Sequence, residues 1–430
     1  VFKCLLILQI LGAAPGLRAG DSPSPKLSLD QVLREVRDHD PVLASARSDA
    51  RMGGQMALAA YAWMPPQLSL GLMGMDGAKP DLGQSMQRQW TLTQELPFPG
   101  RTWAQGRVAS HQAEGREADA DMAAQQEFKA AREAFYALAG AEILLKGLDQ
   151  ASEATHEMAH LSARRGSFGQ LDRMGQFMDT MLAMEDSGVD GMRPMALQQR
   201  RSAEAALKRL MGADPLQGLP PAEVDVDGLL AQAAPSLKDA LREASARSPQ
   251  LRGARANLAA AEAARGLAVS GWLPDLMVQG SVTEDNAGLR QSGAMLGASL
   301  PFVWFWKQAG EAGAANAALD KARQDLAAAE LALREQVADA VGDATAADEA
   351  LRTAWTRTLP SATKGLALAR SGFRTTALGS SEILMAVQDY RMTEENLAQL
   401  VAQWGASRAM LAMLTAEALR AGPNDLGEKP

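Results

Sequence analysis

LDQVLREVRDHDPVLASARSDARMGGQMALAAYAWMPPQLSL, residues 29–70, returns at residues 237–278 as LKDALREASARSPQLRGARANLAAAEAARGLAVSGWLPDLMV. The two stretches align without a gap. Leu33 falls on Leu241, Arg34 on Arg242, Glu35 on Glu243, Pro41 on Pro249, Leu43 on Leu251, Arg47 on Arg255, Pro66 on Pro274 and Leu68 on Leu276. Chance does not hold that many identities in register. The chain is therefore two copies of one unit of roughly 200 residues, and the fold has to account for the doubling. The expected division is a first repeat at 20–212, a linker at 213–236, a second repeat at 237–421 and a polar tail at 422–430.

Within each copy the order of elements is the same. A short amphipathic helix (Leu29, Val32, Leu33 and Val36 on one face) stops at Asp40-Pro41, and a second helix runs to about Trp63. Pro65-Pro66 ends it. Strict alternation then sets Leu68, Leu70 and Leu72 against Ser69, Gly71 and Met73. After a turn-rich loop at Asp76–Gly83, a second strand sets Trp90 and Leu92 against Gln89, Thr91 and Thr93 and ends at Leu96-Pro97-Phe98. The second copy alternates Leu276, Val278 and Val282 with Met277, Gln279, Ser281 and Thr283. After a loop at Glu284–Gln291 it returns through Ala294, Leu296 and Ala298 to Leu300-Pro301-Phe302. The hairpins are expected at about 67–97 and 275–301. About ten residues per strand, apolar on one face and small or polar on the other, is the pattern of a membrane β-barrel. Four strands cannot close a barrel around a pore, so several chains would have to share one.

Six of the eight tryptophans (Trp63, Trp90, Trp103, Trp272, Trp304, Trp306) flank these strands, as in an interfacial girdle. The alternative is that they fill the bottom of a soluble β-domain. Beyond the hairpins, residues 101–164 and 307–359 carry no proline. About 60 helical residues reach roughly 90 Å and require partners along their length. Each outgoing helix is expected to end at a glycine-marked turn, Arg164-Arg165-Gly166-Ser167 and Ala377-Leu378-Gly379-Ser380. Returning helices follow over 171–211 and 382–419. Ser187–Pro194 (SGVDGMRP) is expected to break the first return.

A net charge of −8 argues against a nucleic-acid surface. Lys3, the apolar run Cys4–Ala14 and Leu17-Arg18-Ala19 read as a signal peptide over 1–19, whose removal would take away the single cysteine. No other run of ~18 apolar residues occurs, so no spanning helix is expected. One enzyme-like motif is present. His156-Glu157-Met158-Ala159-His160 fits H-E-x-x-H, in which two imidazoles share a helix face and the glutamate serves as general base. No histidine follows His160 to complete a three-ligand zinc site. The pentapeptide is absent from the second copy. It is read as an ordinary helix surface, with a chance metal site at His156 and His160 as the lesser alternative. No catalytic set and no cofactor are expected, and the chain is not read as an enzyme.

Helix, helix, hairpin, long helix, tip, long helix, given twice, resembles the TolC-like outer-membrane efflux protein family. The carriers are the paired Leu-Pro-Phe exits, the Asp40-Pro41 and Ser248-Pro249 helix starts and the two glycine tips. The resemblance implies a fold that is mostly α with membrane β. Four barrel strands and long coiled-coil helices per chain would form a trimeric channel, a homotrimer in the outer membrane of a Gram-negative bacterium with its helices in the periplasm. It implies outer-membrane lipid around the barrel, and a periplasmic adaptor and an inner-membrane pump as partners. Adaptor docking would fall at Arg165, Gly166, Ser167, Leu378, Gly379 and Ser380. A tunnel constriction would fall at Asp172, the one acid in the family's register, with Glu382 and Asp389 nearby but off register. Met385 and Gln388 stand where the family has further acids, and Thr376 where it has a tyrosine. The stretch Gly71–Met75 before WTLTQELPFPG looks like the heavy-metal branch. Clustered methionines (Met174, Met178, Met181, Met184; Met73, Met75, Met86) suit soft cations, or simply fill irregular helix contacts. The implied function is a passive exit duct of a tripartite efflux system, heavy-metal cations being the favoured cargo. A type I secretion duct of the same fold and a soluble periplasmic coiled-coil scaffold are the alternatives.

Overall fold

Why the repeat folds twice the same way is visible at its helix starts. In the computed structural model, α1 (Leu29–His39) begins at a capping box. Gln31 N–H donates to Ser28 Oγ at 3.3 Å, and Ser28 N–H donates to Gln31 Oε1 at 3.2 Å. The helix α2 (Pro41–Ala60) starts on Asp40, whose carboxylate accepts from Val42 N–H at 2.8 Å. The same devices recur in the second copy. Ser236 caps α6 (Leu237–Arg247), and Ser248 caps α7 (Pro249–Ser270). Pro41 and Pro249 occupy the first turns, where their missing N–H costs nothing.

The structure describes residues 26–74, 86–167, 173–222, 224–299, 303, 305–375 and 380–416. The expected signal segment 1–19, the tail 422–430, Met75, Leu300–Phe302, Trp304, Asp172, Thr376, Leu378 and Gly379 lie outside them.

Strands β1 (Gln67–Met73), β2 (Gln87–Leu96), β3 (Leu276–Asp285) and β4 (Arg290–Ala298) form one antiparallel sheet in that order. The central pairing, β2 with β3, joins the two copies, with Trp90 opposite Val282 and Leu92 opposite Gly280. The β3–β4 turn is tighter than the sequence suggests. Asp285 Oδ1 accepts from Ala287 and Leu289 N–H, and Gly288 takes a positive φ of 81°.

Below the sheet the helices are long. The outgoing α3 (Arg101–Ser167) has 67 residues, about 100 Å, and the returning α4 is Arg173–Leu210. A short α5 (Val226–Leu230) lies in the linker. In the second copy α8 (Phe305–Thr353), a π-helical turn (Ala354–Thr358) and α9 (Leu359–Arg374) make the outgoing rod, and α10 (Ser380–Leu414) returns. Three buried clusters line the bundle. One surrounds Trp404, Leu43, Val32 and Leu207, one Met158, Ile383, Val387 and Tyr390, and one Leu251, Val337 and Leu411. Small residues allow the close approach of α3 to α10. A Cβ on Gly405 would stand 2.2 Å from Tyr136 Cγ, and one on Gly140 2.6 Å from the Ala398 carbonyl oxygen.

Two expectations about helix breaks are corrected. The α4 helix runs unbroken through Ser187–Pro194, with Pro194 inside it. Proline removes one backbone donor there. Packing on both sides outweighs that loss, because Val189 and Ala196 are each 1% exposed in the same apolar cluster. The irregularity falls in the second outgoing rod instead, where the π-turn precedes Pro360 and absorbs its missing N–H. The first tip is corrected as well. Arg165, Gly166 and Ser167 belong to the last turn of α3 rather than to a turn after it.

Candidate channel surfaces

The sheet is turned inside out relative to a soluble β-domain. Leu68, Leu70, Trp90, Leu92, Leu276, Val278, Val282 and Leu296 share its apolar face, and all are exposed, Leu68 at 66% and Leu296 at 74%. The polar residues between them, Gln89, Thr91, Thr93, Gln279, Ser281 and Thr283, are the more sheltered set. A water-soluble domain would bury the leucines and valines. A sheet that shelters threonine and glutamine while presenting leucine and tryptophan outward matches a lipid-facing barrel wall. Among the described tryptophans, Trp63, Trp103 and Trp306 are exposed at 64%, 59% and 57% near the strand ends.

The wall is fixed to the helical rod by one polar knot. Arg101, at the start of α3, pairs with Asp275 and donates to the carbonyls of Ser270 (2.7 Å) and Leu273 (2.8 Å). Asp275 accepts from Phe98 N–H at 2.8 Å, while its own N–H donates to Ser299 Oγ at 2.8 Å. Both hairpin bases and the end of α7 thus meet on one ion pair.

At the far end of the rods, α10 divides its faces cleanly. Ile383, Val387 and Tyr390 are buried. Glu382, Met385, Asp389 and Met392 form an exposed stripe at spacings of three and four, Met385 at 57% and Met392 at 61%. The sequence-expected constriction residues Glu382 and Asp389 therefore share a face, and Asp172 lies outside the described residues. Ser380 is the first residue of α10. Some acids around the tip are matched by arginines. Glu185 takes Arg391 at 3.1 Å and Gln388 at 3.0 Å. Burial pushes up the Tyr390 hydroxyl and the Glu394 carboxyl it donates to at 2.7 Å.

Glu157 is clamped by two arginines from α9. Arg370 reaches it from Nη2 at 2.6 Å and Nε at 3.1 Å, and Arg374 from Nε at 2.7 Å and also from Nη2. These bonds, Arg370's first, hold its carboxyl below the usual range. A carboxylate committed to two guanidiniums is no general base. Within the H-E-x-x-H stretch Met158 is 1% exposed core, and among the described residues the one three-ligand cluster with His156 does not include His160. Instead His156 faces α4, with Nδ1 3.2 Å from Asp186 Oδ1 and Asp190 one turn on.

A wall with lipid-type polarity, carried on rods of about 100 Å, defines the class of outer-membrane channel proteins. Residues 240–417 match the family model described as outer membrane efflux protein, and no curated protein matches the chain. The whole architecture is that of solved channels of this kind. The open state of the MtrE outer membrane channel of Neisseria gonorrhoeae superposes with a TM-score of 0.76 at 16% identity, over 90% of this chain and 88% of that one. The CmeC outer membrane channel of Campylobacter jejuni gives 0.71 at 12% identity, over 98% of each chain. The outer membrane protein VceC of Vibrio cholerae gives 0.72 at 15%, over 90% of this chain and 95% of that one. Residues 240–417 thus resemble the outer membrane efflux protein family, and the chain has the fold of these solved outer-membrane channels. Members of this family are passive trimeric channels, not enzymes, and work with adaptor and inner-membrane pump partners.

Proposed function

We propose that this protein is the passive exit duct of a tripartite efflux system in the outer membrane of a Gram-negative bacterium. The observation that carries the reading is the inverted sheet. In it β1 and β4 each pair on one side only among the described residues. Open edges invite pairing with further strands, and a closed barrel needs more than four. Three copies supply twelve. In this reading the repeats 20–212 and 237–421 each lend one hairpin, and 213–236 lies at the equator. The tips Arg165–Ser167 and Leu378–Ser380 dock a periplasmic adaptor that brings cargo from an inner-membrane pump.

Heavy-metal cations are the favoured cargo. The stripe Glu382, Met385, Asp389, Met392 supports this, because carboxylates attract cations and thioethers suit soft ones. Three copies of Asp172, Glu382 and Asp389 about a threefold axis would form acidic rings that select for positive charge.

The test is single-channel conductance of the detergent-purified protein in a planar bilayer, with oligomeric mass measured on the same sample. A trimer giving cation-selective steps, less selective after Glu382→Gln with Asp389→Asn, is the expected result. A monomer that needs no detergent and carries no current overturns the duct and leaves a periplasmic scaffold.

A further inference from the structure

We infer that α3 and α4 together carry a binding site for a divalent transition-metal ion, made by His156, Asp186 and Asp190. One ligand atom from each of the three lies within 4.8 Å of the other two. His156 Nδ1 and Asp186 Oδ1 are already 3.2 Å apart. Ligands on one first-row ion at about 2.0–2.2 Å sit roughly 3–3.5 Å from one another, so small side-chain rotations complete the set.

Charge supplies an independent argument. Near this end of the rods three carboxylates are neutralised by arginine. Glu157 has Arg370 and Arg374, Glu185 has Arg391, and Asp149 has Arg193 at 2.7 Å. Among the described residues neither Asp186 nor Asp190 pairs with a lysine or arginine. They stand one turn apart on α4, where like charges repel. Their contacts are to neutral donors, Thr155 Oγ1 for Asp186 and Ser152 Oγ at 3.5 Å for Asp190. Two uncompensated carboxylates facing an imidazole across a helix pair are a cation site by composition.

One imidazole with two carboxylates is borderline-to-hard, fitting Zn²⁺, Co²⁺ or Ni²⁺ and unlike the thioether stripe proposed for cargo. The donor set thus differs from that of the stripe, and its test does not depend on the duct reading. It lies eleven residues before the end of α3, about 16 Å along the helix. An ion there staples the outgoing helix to the returning one close to the tip.

The experiment uses the full protein in detergent without a histidine tag, titrated with Co²⁺ and followed by visible absorption, with Zn²⁺ stoichiometry from equilibrium dialysis. One ion per chain is expected, with ligand-field bands that Zn²⁺ displaces. His156→Ala, and separately Asp186→Asn with Asp190→Asn, should each weaken binding at least tenfold, while His160→Ala leaves it unchanged. Asparagine keeps the shape of aspartate, so the helix pair folds in that variant, as circular dichroism will show. Variants that bind like the wild type, or a wild type without stoichiometric binding, overturn the site. A loss in His160→Ala equal to that in His156→Ala overturns it too, assigning the ion to the two histidines of one helix.

Discussion

Adjacent residues of β2 offer the sharpest test of the barrel wall. Leu92 is the sixth residue of a ten-residue strand about 33 Å long, so a tilted strand brings it near the bilayer midplane. Its side chain is 51% exposed on the apolar face. Thr91, one position before, lies on the sheltered polar face opposite Ser69 and Ser281. Arginine on the lipid face at the midplane costs about 2–4 kcal/mol, against about 0–1 near an interface. At 1.4 kcal/mol per decade, Leu92→Arg should lower the ratio of folded, inserted chain to unfolded chain roughly 30- to 700-fold per chain, and a trimer carries the change three times. Thr91→Arg leaves the lipid face untouched and places three guanidiniums toward the lumen. Its expected effect is near-normal insertion with reduced cation selectivity. The assay is refolding into lipid vesicles across a urea series, followed by conductance of the inserted material. Equal losses for the two variants, or a larger loss for Thr91→Arg, would refute the assignment of faces.

Three further outcomes follow from the packing. Gly405→Ala gains about 1 kcal/mol of helix propensity but drives a methyl into Tyr136, which is held edge-on by Phe135 and Trp404 with ring centroids 5.4 Å away on each side. Overpacking of this kind costs about 1–3 kcal/mol or more, so thermal melts should show net destabilisation; a stabilised variant would mean the ring moves freely. Glu157→Gln removes a carboxylate whose folded pKa is depressed. The difference in melting temperature between wild type and variant should be full at neutral pH, shrink as the pH falls past 4.5, and vanish below the folded value. A difference that persists unchanged at pH 3 would show that the clamp's charge is not its source. Arg101→Met strips the charge-assisted bonds that hold the hairpin bases, and calorimetry should register about 1–3 kcal/mol lost, with Asp275→Asn costing less because its Phe98 contact survives.

Much of this architecture is written in short-range patterns. Alternation in 68–73 and 276–283 gives the strands because a period of two has no other use, and the Ser and Asp caps before 29, 41, 237 and 249 give helix starts because orphan N–H groups need acceptors. What escaped depends on partners far along the chain. Pro194 announces a missing donor but not the burial of Val189 and Ala196 that holds the helix through it. The H-E-x-x-H spacing is local, whereas the arginines that disarm Glu157 come more than 200 residues later. The partners of His156 were missed for a related reason. Asp186 and Asp190 are an i, i+4 pair only if 187–194 is helical, and a stretch read as broken hides that spacing. Glu382 and Asp389, seven apart in an uninterrupted helix, were by contrast on one face in the sequence already.

The π-turn at Ala354–Thr358 has a consequence for aim. Such a turn holds one residue more than the α-helix would, and each residue is about 100° of rotation. Everything beyond it on the second outgoing rod, Arg370 and Arg374 included, is therefore phased by that single surplus residue. Were one residue lost between 354 and 358, the turn would regularise and both guanidiniums would swing about 100° around the rod axis, away from Glu157. The tip's ion clamp is thus set by a residue count made about 20 Å away, and insertion or deletion, rather than substitution, is the mutation to which it is most sensitive.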